Sequence, residues 1–170
     1  MTTDRNVLFT QLRDHVDCEV KCHRRLLDLA EAKQRNIVAG DMRSFSDLLQ
    51  REQEPLTAMM RLRQIRERLL RDLAEGLGLK RDGLHLSQVI VQCSGQICLE
   101  LRARINELKT VCERLREVND SNMVLIRQSL GFVRDILNVL VGESPADIYD
   151  RRGSSAYARA GRGRLVNLAG

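Results

Sequence analysis

One hydrophobic stripe constrains this chain more than any other feature. Ile97, Leu101, Ile105, Leu108, Cys112, Leu115, Val118, Asn122, Leu125, Ser129, Phe132, Ile136 and Leu140 follow one another at intervals of three or four residues. The mean step is about 3.6 residues, the period of an α-helix. A helix from 97 to 140 is roughly 65 Å long at about 1.5 Å per residue. Two shorter stripes precede it. Leu8, Leu12, Val16, Cys22, Leu26, Leu29 and Ile37 mark a helix over about 4–38, interrupted by Glu19 and Lys33. Phe45, Leu49, Leu56, Met59, Leu62, Ile65, Leu69 and Leu73 mark a second over about 43–75. Neither is long enough to cover the third segment, which spans about 86–141. Something else must pack on the remaining length: a partner, a second copy making a homodimer, or a folded-back segment.

The breaks between stripes are legible. Ala39-Gly40-Asp41 closes the first helix, since Gly is favoured just past a helix end. Ser44 with Asp47 three residues on resembles a capping box for the second. Pro55 lies inside the second pattern and is expected to kink or restart the helix, because it lacks a donor and crowds the preceding turn. Gly76, Gly78 and the run 80–83 end that segment, and Gly95 is placed to interrupt the first turns of the third. With 170 residues, aromatics at 3% and no Trp, the chain suits one aliphatic core. The expected fold is all-α: an elongated antiparallel helical hairpin or three-helix coiled-coil bundle over 1–141. A basic C-terminal tail, 142–170, is flexible by composition.

The charge is unevenly placed. The net charge is +5, and residues 151–170 carry Arg151, Arg152, Arg159, Arg162 and Arg164 with no acid, leaving 23 basic and 23 acidic residues in 1–150. The tail also holds both tyrosines, Tyr149 and Tyr157, with Ile148, Leu165, Val166 and Leu168. Its arginine-glycine run makes a nucleic-acid-binding helical protein one alternative function. Against it, the basic residues at 61–71 are interleaved with Glu67 and Asp72 and scatter around the helix. A structural coiled-coil interaction protein is the other alternative. No stretch approaches the roughly 20 apolar residues of a membrane span, and the first ten residues lack the apolar core of a secretory signal. A cytoplasmic protein without membrane insertion is expected.

Catalytic chemistry finds no foothold. The sequence has no Gly-rich phosphate loop, no Gly-x-Ser-x-Gly and no His-Glu-x-x-His, so no enzyme activity and no cofactor are expected. The histidines stand at 15, 23 and 85. His15, Cys18, Cys22 and His23 invite a metal reading, but structural zinc sites usually draw ligands from two elements joined by a turn. They are read instead as buried or half-buried helix side chains. Five cysteines, an odd number set mostly in helical stripes, fit reduced thiols better than a disulfide scaffold.

Residues 119–142 carry paired asparagines three apart (Asn119, Asn122), then Leu125-Ile126, Ser129-Leu130, Phe132-Val133, Leu137, and Leu140 before Gly142. Tyr149-Asp150-Arg151-Arg152-Gly153 follows as Tyr-Asp-x-x-Gly. Together these resemble the signature of the FlgN family of flagellar export chaperones. The resemblance implies a chaperone for two hook-filament junction proteins, hook-associated proteins 1 and 3 (FlgK and FlgL). It further implies delivery to the flagellar type III export gate through the cytoplasmic domain of FlhA. Client binding in the C-terminal region then falls on Asn119, Asn122, Leu125, Ile126, Ser129, Phe132, Val133, Ile136 and Leu140, and gate docking on Tyr149. Leu125, Phe132, Val133, Ile136 and Leu140 are the candidate anchors for an amphipathic client helix, with ordinary bundle core as the competing reading. Asn119, Asn122 and Ser129 would set helix register or bond the client backbone.

Overall fold

The computed structural model describes residues 5–78 and 86–141, all of them in helices or the short turns between them. Four helices follow in order: α1 Arg5–Ala39, α2 Met42–Leu77, α3 Leu86–Val91 and α4 Gln96–Val141. The chain divides into two units, Met1–Leu125 and Ile126–Gly170.

The hinge between α1 and α2 is built by glycine and a carboxylate. Gly40 takes φ +70, open to glycine at little cost. Its N–H reaches the Ile37 carbonyl at 3.2 Å, and that of Asp41 reaches Asn36 at 2.9 Å. This is the Schellman pattern, which satisfies carbonyls the helix end would otherwise orphan. Asp41 then caps α2: its carboxylate accepts from the Ser44 backbone N–H at 3.0 Å. The helix therefore starts earlier than a box of Ser44 and Asp47 predicts. Hydrogen bonding by the Ser44 side chain, and then by its backbone N–H, holds the Asp41 carboxyl below its usual range. Gly78, again left-handed, closes α2 by donating to the Ala74 and Glu75 carbonyls.

Pro55 neither splits nor restarts α2, which runs unbroken through it. The ring is among the most deeply buried side chains of the bundle, and its carbonyl accepts from the Cys22 thiol of α1 at 3.3 Å. Burial of the ring against α1 offsets the missing donor. Gly95, at φ +76, separates α3 from α4, so the single third segment read from sequence is a short helix, a turn and a long helix.

Within Met1–Leu125, α1 and α2 are antiparallel and α4 runs parallel to α1. The ion pairs record both directions: Arg25 meets Glu54 and Lys33 meets Glu52 across α1 and α2, while Arg13 meets Glu100 and Arg24 meets Glu107 across α1 and α4. Leu8, Phe9, Leu12, Val16 and Val20 of α1 pack with Leu73 of α2, Val89 of α3, and Leu101, Ile105 and Leu108 of α4. Each large aliphatic side chain so buried stabilises the fold by roughly 1.5–3 kcal/mol before ordering costs.

The two charges that interrupt the α1 stripe are inside, and both are paired. Glu19 is fully buried and accepts from Arg66 of α2 at 2.7 Å, with the His15 ring N–H at 3.3 Å. Burial alone would push its carboxyl up, but the His15 hydrogen bond and the Arg66 charge outweigh that and hold it below the usual range. Lys33, also buried, donates to both carboxylate oxygens of Glu52 at 2.7 and 2.8 Å. Glu19 and Lys33 lie fourteen residues apart on α1, and Arg66 and Glu52 lie fourteen apart on α2. The two pairs are thus matched rungs of one antiparallel ladder, two heptads from each other.

Candidate docking surface

The buried residues of α4 are Cys98, Leu101, Ile105, Leu108, Val111, Val118 and Asn122. None lies beyond Asn122. The helix nevertheless continues to Val141, and its apolar side chains continue with it.

Of the predicted client-binding residues, Asn122 alone is buried. Its Nδ2 donates to the Ala30 carbonyl of α1 at 2.9 Å, while its Oδ1 is buried without a hydrogen-bond partner. One residue earlier, Gln34 donates to Ser121 at 2.8 Å. These contacts pin the α1–α4 seam near the end of α1. Leu125 is half-buried and, with Gln34, Arg35, Val38 and Ala39, lines an open depression of about 410 Å³. Asn119 and Ser129 are exposed.

In the second unit, described by itself, Ile126, Phe132, Val133, Ile136 and Leu140 are all exposed, Phe132 at 66% and Leu140 at 76%. The structure adds members that the single stripe did not include: Leu130, Leu137, Val139 and Val141 are exposed too. At about 100° per residue the apolar positions of 126–141 span an arc of roughly 200°, about twice the stripe a helix buries against one neighbour. Arg127, Arg134, Asp135 and Asn138 occupy the remainder. The missed signal was a second repeat, Ile126-Leu130-Val133-Leu137, running beside the first. Monomeric proteins rarely expose a contiguous apolar run of this size unless it binds something.

The residues that invited a metal reading and were read instead as helix side chains lie as follows. His15 bonds Glu19, the His23 Nδ1–H donates to the Glu19 carbonyl at 2.8 Å, Cys22 donates to Pro55, and Cys18 is exposed. Among the described residues no three His, Cys, Asp or Glu side chains gather as a metal site. All five cysteines are free thiols. Burial raises Cys22 and Cys112, and burial beside Cys98 pushes Cys93 up to about 11. Thiols so perturbed are weak nucleophiles. Tyr149, His85 and the arginines of 151–170 lie outside the described residues. No helix among the described residues is long and apolar enough to cross a membrane.

The sequence profile described as "FlgN protein" matches residues 1–156, nearly the whole chain. The chain belongs to the FlgN family. That family is one of flagellar export chaperones, so this FlgN-family chain has a chaperone role in flagellum biogenesis. Among curated proteins, the "Uncharacterized protein YvyG" of Bacillus subtilis (strain 168) is 29% identical over 119 residues, covering 70% of this chain and 72% of that protein. No solved structure gives a significant match.

Proposed function

We propose that this FlgN-family chain is a cytoplasmic export chaperone that seats an amphipathic helix from the C-terminal region of hook-associated proteins (FlgK and FlgL) on the exposed end of α4. The observation that carries this reading is the run of exposed aliphatic and aromatic side chains over 126–141. A client whose terminal helix drives assembly must keep its apolar face covered until export. Laying that face on Leu125, Ile126, Phe132, Val133, Ile136 and Leu140 buries both stripes at once, a helix-in-groove arrangement. The wide apolar arc suits a client that wraps the helix rather than touching one side of it. Each large anchor contributes roughly 1.5–3 kcal/mol, so several offset the ordering of both helices.

Ser129 falls within the apolar arc and Asn119 on the same side of the helix, two turns before Ile126, and both are assigned to bonding the client backbone. Asn122 serves through the seam with α1 that aims α4. Tyr149 is assigned to docking on the cytoplasmic domain of FlhA, so client and gate would be read by neighbouring parts of one chain. The test is a binding titration of the full chain against the C-terminal helices of FlgK and FlgL. Saturable binding by the unmodified chain, lost in Phe132→Glu with Ile136→Glu, supports the reading. Absence of binding by the unmodified chain overturns it. Tyr149→Ala is expected to keep client binding and to lose only the gate.

A further inference from the structure

The end of α4 differs from the earlier part of the helix in more than exposure. No residue of α4 after Asn122 is buried, so little packing holds the backbone there. Earlier in α4, ion pairs three or four residues apart brace the helix: Arg104 with Glu107, Arg114 with Glu117, Arg116 with Asp120. Over 126–141 the charged residues are Arg127, Arg134 and Asp135, and no two of opposite sign stand at that spacing. The last turn holds no basic residue to meet the helix dipole. Composition runs the same way. Six of these sixteen residues are good helix formers (Arg127, Gln128, Leu130, Arg134, Leu137 and Leu140), against eleven over 101–116. The earlier turns supply the nucleus, so what remains is propagation, and here propagation runs close to balance.

Gly131 stands within this segment without a packing or backbone reason to be there. The left-handed glycines are Gly40, Gly78 and Gly95, and Gly131 is not one of them. A Cβ placed on it would meet nothing within 4 Å. At about 100° per residue it falls diametrically opposite the middle of the apolar arc, so a client seated on that arc does not touch it. What a glycine does at such a position is loosen the helix, about fivefold relative to alanine. We propose that α4 beyond Leu125 is a conditional helix: partly frayed in the client-free chain, completed when the client docks, with Gly131 setting how much affinity that completion consumes. This rests on the reading that 126–141 receives the client. The observed affinity is the intrinsic one scaled by the fraction of chains already helical. A client is thus held more weakly than its buried surface alone would allow, which suits a protein that must give up what it carries.

Amide hydrogen exchange of the full chain, first without client, reads the helix directly. Expected is less than about tenfold protection over 129–141 against more than about a thousandfold over 101–118. Protection over 129–141 should rise at least about tenfold when the C-terminal helix of FlgK or FlgL is added in excess. Gly131→Ala should raise client-free protection over 129–141 and tighten client binding about threefold to fivefold, with the unfolding midpoint of the parent. Gly131→Ser, a poorer helix former than the Ala variant, should fall between. Client-free protection over 129–141 that matches 101–118 overturns the proposal. So does a Gly131→Ala variant that binds client no tighter than the parent, and one that binds more weakly places the client against the glycine instead. A chain that binds neither client helix overturns the client assignment, while the response of client-free exchange to Gly131→Ala still decides whether the helix is conditional.

Discussion

The first thirty residues of α4 and its last sixteen carry the same aliphatic spacing with opposite exposure. From Cys98 to Asn122 the stripe is buried with α1, α2 and α3. From Ile126 to Val141 the same kinds of side chain at the same intervals stand exposed. Periodicity is thus a statement about which side chains share a face, and says nothing of whether the protein itself supplies the cover. Length does say something: α1 has 35 residues and α2 has 36, against 46 for α4. In the proposed function, one stretch fixes the helix and the other is offered to a client.

That comparison is open to breakage. The largest effect is expected in the buried part. Leu101→Ala, at a fully buried position, should cost about 3 kcal/mol of unfolding free energy through lost burial and the cavity left behind, read by chemical denaturation. Phe132→Glu with Ile136→Glu should shift unfolding by less than about 0.5 kcal/mol. The same pair should weaken client binding about 100-fold, equivalent to about 2.7 kcal/mol. If that pair instead unfolds the protein, the exposed end is core and the contrast collapses.

Arg66→Ala should cost about 2 kcal/mol near neutral pH, because it leaves the Glu19 carboxylate buried without its cation. The folded-state carboxyl titrates below its ordinary value of 4.5. Its contribution is therefore present above about pH 4.5 and fades as pH falls through the folded value. Parent and Arg66→Ala denaturation curves should converge in acid. Smallest is Asn122→Leu, expected to change stability by less than about 1 kcal/mol. It gives up one hydrogen bond to a carbonyl already inside a helix and removes an orphaned acceptor.

Most of the fold was legible because helix periodicity and three glycines carry it. Gly40, Gly78 and Gly95 each take the left-handed conformation at a break. Two local details were not. Asp41 outcompetes Ser44 as the cap, since a carboxylate one residue past a left-handed glycine already faces the open N–H groups of α2. Whether Pro55 kinks or splits α2 was open in the sequence, because its neighbours across the bundle are invisible in one dimension; the helix is not split there. Glu19 and Lys33 likewise looked like faults in a stripe, because their partners lie 47 and 19 residues away. Of the candidate face, the single stripe found Phe132, Ile136 and Leu140, while the width of the arc emerged only with the exposed Leu130 and Leu137.

The two buried ion pairs of α1 and α2 have a consequence for how the hairpin closes. Slide α2 by two heptads in one direction and Glu19 faces Glu52; slide it the other way and Lys33 faces Arg66. An aliphatic seam alone tolerates such slippage, since one leucine replaces another, but here a two-heptad slip forces like charges together out of water, and a one-heptad slip leaves Glu19 and Lys33 buried against apolar side chains without their partners. The paired charges therefore hold the hairpin in one alignment, a register lock that aliphatic side chains alone do not supply.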